Sequence, residues 1–163
     1  YIDLDLVPET IEQKHFSNSE LVIDSEEQEK LNLGIQLHEC LEYIDYDDIE
    51  SSFDKMHISS FEKNKIQHFL LQPFMKQLKH PEFYREFEFV DTQGLEERHG
   101  IIDLLVIDDD CAYVIDYKLK TIDKESYQAQ VRGYMNVIQK RLKKPVKGIL
   151  YSILEETYIE VKA

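Results

Sequence analysis

The sequence predicts an α/β protein in which helices pack against a mixed β-sheet. Two segments with helical spacing of apolar residues come first, and three strand-like segments joined by turns follow. A long helix-permissive segment then precedes two further strand-like runs. Strands joined by tight turns pair in antiparallel fashion, whereas a strand that returns after a helix pairs in parallel. Both kinds of pairing in one chain imply a mixed sheet with helices on its faces.

Apolar residues at helical spacing predict the helices, and His38 falls on or beside the buried stripe of the first one. Pro73 ends or kinks the second helix, and Pro145 follows the end of the last. The segment 45–60 is acidic and polar and contains no predicted element. The predicted helices are 26–46, 61–71 with a short continuation to 78, and 124–142.

Runs of β-branched, aromatic and alternating residues predict the strands. Asp109 and Asp110 form the two-residue loop of a hairpin, which puts Asp103 opposite Asp116 and Lys118 on the same face. The predicted strands are 84–90, 100–107, 111–118, 146–154 and 158–161, with a turn at Gln93-Gly94.

The chain of 163 residues has the size of one domain, placed at 26–163, after an extended entry segment or linker at 1–25. Because the first residue is Tyr rather than Met, we expect the domain to come from a longer protein. No apolar run approaches the ~20 residues of a membrane span, so the expected location is the cytoplasm. Two cysteines are too few for a disulfide framework, a four-cysteine zinc site or an iron-sulfur cluster. Cys40 and Cys111 are predicted to be small buried residues.

Charge is distributed unevenly along the chain. The net charge is −14, and residues 1–60 contain 16 Asp and Glu against three Lys and Arg. Residues 118–147 contain nine Lys and Arg against two Asp and Glu. A basic segment of this kind attracts phosphates when its members share a surface, although a solvated helix face is the simpler interpretation.

Asp103, Asp116 and Lys118 form the candidate chemical centre. Carboxylates within strands of Ile, Leu and Val cost several kcal/mol unless they are paired or bind a metal. Two carboxylates can hold Mg²⁺, which polarises a phosphate and lowers the pKa of bound water, while an ammonium orients the water and offsets negative charge. The alternative is an ordinary ion pair between Asp116 and Lys118, with Asp103 a chance polar residue. A shift of the turn by one residue would also send the two acids to opposite faces.

Residues elsewhere in the chain support the metal-dependent interpretation. His38 lies in the motif G-x-x-x-H-x-x-L-E, which spans 34–42. Gln130 and Tyr134 are one helical turn apart and point the same way, with Tyr127 one turn earlier. Taken separately, a histidine on an apolar helix face and two tyrosines are more often residues of the core.

Together these segments resemble the RecB-type nuclease domain of the PD-(D/E)XK superfamily, as found at the C-terminus of AddA- and RecB-like helicase-nucleases. The resemblance rests on five motifs in order, from Gly34 to Tyr134: G-x-x-x-H-x-x-L-E, R-E-F-E-F at 85–89, G-I-I-D-L-L at 100–105, I-D-Y-K at 115–118 and Q-x-x-x-Y at 130–134. It implies a restriction-endonuclease-like mixed sheet. It also implies a Mg²⁺-dependent DNA nuclease, with Mn²⁺ as a second candidate ion because a histidine ligand is unusual for Mg²⁺.

The resemblance also implies roles for individual residues. His38, Asp103, Asp116 and the main-chain carbonyl of Tyr117 would bind the metal, and Lys118 would be the catalytic lysine. Gln130 and Tyr134 would support the active site, and Glu86 would be an additional acidic member. Basic residues in and around the last helix would contact DNA: Lys120, Lys124, Arg132, Lys140, Arg141, Lys143 and Lys144.

The expected function is cleavage of DNA without strong sequence preference, in end processing or recombinational repair. Its expected partners are a helicase portion of the same parent chain, a second helicase-nuclease subunit, or both. No G-x-x-x-x-G-K-[ST] motif is present, so helicase activity is not predicted for this chain. The alternative is a catalytically silent, nuclease-like module that binds DNA or docks another subunit through the acidic first third.

Overall fold

The computed structural model describes residues 25–93 and 96–163, apart from the side chain of Gln93. The helices are α1 (Ser25–Tyr43), α2 (Ile49–Lys55), α3 (Ser60–Leu70), α4 (Pro73–Lys76) and α5 (Glu125–Leu142). The strands are β1 (Glu82–Gln93), β2 (Glu96–Ile107), β3 (Ala112–Lys118), β4 (Val146–Ser152) and β5 (Thr157–Val161). Of the predicted entry segment 1–25, all but Ser25 lies outside the described residues, as does Gly94 of the predicted turn.

The five strands form one mixed sheet in chain order, which confirms the predicted fold class. β1, β2 and β3 are an antiparallel meander, β4 runs parallel to β3, and β5 is antiparallel to β4. α5 is the crossover between the two parallel strands. The end of β3 at Lys118 and the start of α5 therefore lie at the same end of the sheet, here named the site end, and the β2–β3 hairpin turn lies at the other.

The hairpin has the predicted register. Leu104 pairs with Ile115, and Ile107 pairs with Ala112. The amide of Asp108 donates to the carbonyl of Cys111 at 2.9 Å, which closes the predicted two-residue loop. Continued by one step beyond the last pair, the same register sets Asp103 opposite Asp116.

Helix α2 was not predicted. Most of its seven residues are polar or charged, and two turns are too few to show a helical period. The segment is nevertheless helical because the side chain of Asp48 accepts the amide of Ser51 at its start and Phe53 is buried.

The sheet buries an apolar layer on each face. α1 and α3 cover one face, where Leu37 and Phe69 pack with Ile115. α5 covers the other, where Val131 packs with Val114. Cys40 and Cys111 are buried free thiols, as predicted. None of the described helices is long and apolar enough to cross a lipid bilayer.

Candidate active site

The alternation of side chains along β2 breaks at Asp103. Leu104 packs in the layer beneath α1, whereas Ile102 packs in the layer beneath α5. Residues two apart share one face of a regular strand, so the alternation of side chains reverses between these two positions. The break frees the side chain of Asp103 from either apolar layer and directs it to the polar groups around it.

A matching break lies opposite, in β1, at Glu86. Phe83 packs on the α1 side and Phe87 on the α5 side, although positions four apart share a face in a regular strand. Glu86 has a φ of 48°, in the left-handed region. A residue with a side chain adopts this conformation at a cost of roughly 1–3 kcal/mol, and such strain is concentrated at functional sites.

Asp103 joins α1 to β3. Its Oδ1 lies 3.0 Å from Nε2 of His38, and its Oδ2 accepts the amide of Tyr117 at 2.9 Å. Burial alone would raise the pKa of Asp103, but the imidazole of His38 and the hydrogen bonds from His38 and Tyr117 outweigh it and lower that pKa. Asp103 is therefore an ionised carboxylate.

His38 carries a positive charge in this arrangement. Burial alone would lower its pKa, but Asp103, Glu86 and Asp116 outweigh burial and raise the pKa to about 9. The imidazolium therefore offsets negative charge in the site, above all that of Asp103. A metal ligand must be a neutral imidazole, so a cation at this position would replace the proton of His38.

Glu86 completes a group that fits a metal ion. Ligand atoms of His38, Glu86 and Asp103 all lie within 4.8 Å of one another. Burial first, and the charge of Asp103 second, raise the pKa of Glu86 to about 7. Its Oε2 is buried and has no hydrogen-bond partner among the described residues. A buried carboxylate oxygen without a partner, in a residue that lies next to another acid, suits a divalent cation that prefers oxygen ligands.

Asp116 and Lys118 lie beside this group. The Nζ of Lys118 is 3.2 Å from Oδ2 of Asp116, and both side chains are 8% exposed. Asp116 contributes to the raised pKa of His38, and Lys118 contributes to the lowered pKa of Asp103. The pair of Asp116 and Lys118 therefore interacts electrostatically with the group of His38, Glu86 and Asp103.

Tyr117 contacts the site through its amide and its ring. The ring meets His38 edge to face, with 5.6 Å between the centroids and 78° between the planes. Its hydroxyl lies 3.4 Å from that of Tyr46. The predicted use of its main-chain carbonyl as a metal ligand stays a prediction.

Gln130 and Tyr134 lie on the face of α5 that covers the sheet, one turn apart. Tyr134 is 4% exposed, and its ring meets Phe89 edge to face at 5.5 Å. A side chain at Gly100 would collide with the rings of Phe89 and Tyr134, so this close approach requires glycine. Gln130 is half-buried. Their catalytic roles stay predictions.

The predicted DNA-contacting residues lie at the two ends of α5, apart from Arg132 near its middle. Lys120 and Lys124 lie at the site end, before the helix begins. Lys143 caps the far end of this 18-residue helix, which is about 27 Å long. Residues that are neighbours in a basic stretch of sequence are thus separated by the length of a helix.

Several of these basic side chains bind to other groups within the described part of the protein. Arg132 pairs with Glu125 at 3.0 Å, and Lys140 pairs with Asp91 at 3.5 Å. Arg141 donates to the carbonyl of Val90 at 2.6 Å, and Lys144 donates to the carbonyl of Asp108 at 2.7 Å. The interactions of Lys140 and Arg141 fasten α5 to β1, and that of Lys144 fastens the following loop to the β2–β3 turn. Lys120, Lys124 and Lys143 are exposed, and Lys120 pairs with Glu155 at 3.8 Å.

Tyr127 has a place in the site that sequence reasoning missed. Its position one turn before Gln130 marked it only as a neighbour on the same helix face. In the structure, Nζ of Lys118 lies over its ring, 4.2 Å from the centroid. This arrangement depends on how α5 crosses the end of β3, which no local pattern encodes.

Comparison with known proteins gives two similarities. The sequence model of the PD-(D/E)XK nuclease superfamily matches residues 12–162. The chain is also similar to one of the subunits of the ATP-dependent helicase/nuclease of Staphylococcus aureus, in strains JH9, USA300 and NCTC 8325. Each match is 31% identical over 93 aligned residues, which cover 42% of this chain and 8% of the relative. The chain thus corresponds to a small part of those proteins.

Proposed function

The chain belongs to the PD-(D/E)XK nuclease superfamily, and from this premise we propose that it is a divalent-metal-dependent nuclease that hydrolyses phosphodiester bonds of DNA. The observation that carries the proposal is the convergence of His38, Glu86 and Asp103 from α1, β1 and β2, with ligand atoms within 4.8 Å of one another. The orphaned Oε2 of Glu86 supports a cation there.

These three side chains would hold the metal, together with Asp116 and the carbonyl of Tyr117. When bound, Mg²⁺ or Mn²⁺ polarises the phosphate and lowers the pKa of bound water. Asp103 is already ionised by its hydrogen bonds and therefore accepts a cation without losing a proton. The amide of Tyr117 fixes the orientation of that carboxylate.

Lys118 would act on the water and on the phosphate. Its ammonium lies next to Asp116 and has little exposure, so its charge is weakly screened by solvent. From this position it can orient the attacking water and offset the charge that develops on the phosphate. Gln130 and Tyr134 would support this arrangement from α5.

DNA would reach the site past Lys120 and Lys124, the exposed basic residues at the site end. Contacts of this kind are made to phosphates and carry no base information, so cleavage without strong sequence preference is expected. The similarity to proteins named as helicase/nuclease supports a role in DNA end processing and recombinational repair. A helicase portion of a longer chain, or a second subunit, would deliver the strand in the cytoplasm.

The direct test compares wild type with Asp116→Ala and Lys118→Ala on labelled single- and double-stranded DNA, in Mg²⁺, Mn²⁺ or EDTA. Each substitution should lower the cleavage rate by a factor of about 100 or more, because each removes charge from the reacting centre. Lys79→Ala and Asp110→Ala are matched controls, since these residues form an exposed pair at 3.9 Å on the far end of the sheet. Equal degradation by all five proteins would exclude the proposal.

A second function is suggested by the net charge of −14, because an acidic surface suits a basic protein partner. In that alternative the chain is a silent nuclease-like module that binds DNA or docks another subunit. Calorimetric titration with Mn²⁺ separates the two. Mn²⁺ binding that is abolished in Asp103→Ala supports the nuclease. If no Mn²⁺ binding depends on Asp103 or Asp116, the silent module is favoured.

A further inference from the structure

Two of the described side chains flank the ammonium of Lys118. One is the carboxylate of Asp116, 3.2 Å away. The other is the aromatic ring of Tyr127, whose centroid is 4.2 Å from Nζ. A lysine side chain has many rotamers, so a single position for its ammonium has to be imposed by neighbours.

The geometry between Lys118 and Tyr127 fits a cation–π interaction. An ammonium within about 6 Å of a ring centroid is attracted to the negative face of the ring, and the attraction grows when water is excluded. Lys118 is 8% exposed, so this interaction is largely desolvated. Lys124 approaches the same ring at 5.4 Å, but its side chain is exposed. The ring therefore interacts more strongly with Lys118.

Tyr127 contacts Lys118 from the start of the helix that follows β3. Tyr127 is in the first turn of α5, at the site end of the sheet, and is half-buried against the layer beneath that helix. Since Lys118 is the last residue of β3, the ring spans the crossover connection and joins the strand end to the helix start. Contacts with this ring and with Asp116 favour the position of the ammonium beside Asp116 over one in bulk solvent.

We propose that Tyr127 is a positioning residue, which holds the ammonium of Lys118 beside Asp116 through the face of its ring. The inference rests on the proposed nuclease function for its catalytic consequence, but the interaction itself does not depend on a metal or on DNA. A packing role alone would require only a side chain of similar size, whereas the positioning role requires an electron-rich ring.

The experiment replaces Tyr127 with Phe, with Leu, and with phenylalanines carrying one, two or three ring fluorines. Fluorination keeps the shape of the ring but weakens its attraction for a cation. Tyr127→Phe should cleave DNA at nearly the wild-type kcat, and kcat should fall stepwise with each fluorine. Tyr127→Leu should lower kcat by about 5- to 30-fold, as expected for a desolvated cation–π pair. The KM for DNA should stay constant.

The control is the same series at Phe61, over whose ring Lys65 lies at 5.5 Å, on α3. These variants should cleave DNA like wild type. A flat response to fluorination at position 127, or a Leu variant as active as the Phe variant, would overturn the proposal.

A second measurement separates this proposal from the proposed function. In metal-free and DNA-free protein, ring currents of Tyr127 should shift the ε-methylene protons of Lys118 upfield, and the shift should vanish in Tyr127→Leu. If wild type cuts no DNA in any divalent cation, the nuclease proposal fails while this shift still decides whether Tyr127 holds Lys118. Unchanged Lys118 resonances in the Leu variant would refute the interaction itself.

Discussion

At the residue scale, the conformation and surroundings of Glu86 lower the stability of the metal-free protein. Its backbone is in the left-handed region, its Oε2 has no partner among the described residues, and its pKa is raised by burial and by Asp103. Each of these features costs stability in the absence of a cation. The sequence suggested Glu86 only by resemblance, because a Glu in an alternating strand carries no sign of a backbone break.

We therefore predict that Glu86→Gln stabilises the metal-free protein and weakens metal binding. Removing the charge relieves repulsion with Asp103, which should raise the free energy of unfolding in EDTA by on the order of 1 kcal/mol. Removal of a carboxylate ligand should weaken Mn²⁺ binding by about 10- to 100-fold. Thermal unfolding and calorimetry measure the two effects. Glu96→Gln, an exposed acid on the neighbouring strand β2, should change neither.

At the element scale, the β2–β3 hairpin depends on Asp108. Its side chain accepts the amides of Asp110 and Cys111 at 2.9 Å each, and that of Lys79 at 3.2 Å. Burial alone would raise the pKa of Asp108, but these hydrogen bonds and the charge of Lys144 outweigh it and lower that pKa. The turn thereby fixes the register that brings Asp103 opposite Asp116, which explains why the register was predictable from the loop.

Asp108→Ala should destabilise the protein by about 2 kcal/mol at pH 7, because three amides lose an ionised acceptor. A lowered folded-state pKa stabilises the protein above the ordinary pKa of 3.8. That contribution disappears as the pH falls through the lowered value. In urea unfolding, the difference in free energy of unfolding between wild type and variant should therefore be largest at about pH 6 and should decrease below about pH 4. Asp110→Ala, which keeps all three hydrogen bonds, should stay within about 0.5 kcal/mol of wild type, and a larger destabilisation there would contradict this assignment.

At the scale of the whole molecule, some features follow from local patterns and others do not. The mixed sheet and the hairpin register follow from element order and a two-residue loop, so the sequence predicts them. The breaks in side-chain alternation at Glu86 and Asp103 depend on packing on both faces of the sheet. Helix α2 is stabilised by the cap from Asp48 and by the buried ring of Phe53. Attraction of phosphates by the basic segment required that its members share a surface, whereas α5, about 27 Å long, holds Lys124 and Lys143 at opposite ends.

This separation leads to a prediction about how an acidic chain engages DNA. Lys120→Gln combined with Lys124→Gln removes exposed positive charge at the site end, so the KM for DNA should rise several-fold in low salt. The dependence of log KM on log salt concentration should become shallower by about one unit for each phosphate that the variant no longer neutralises. Lys143→Gln combined with Lys147→Gln removes the same charge from the far end and should leave both quantities unchanged. If the two pairs act equally, DNA follows the whole length of α5, and the net charge rather than the site end governs its approach.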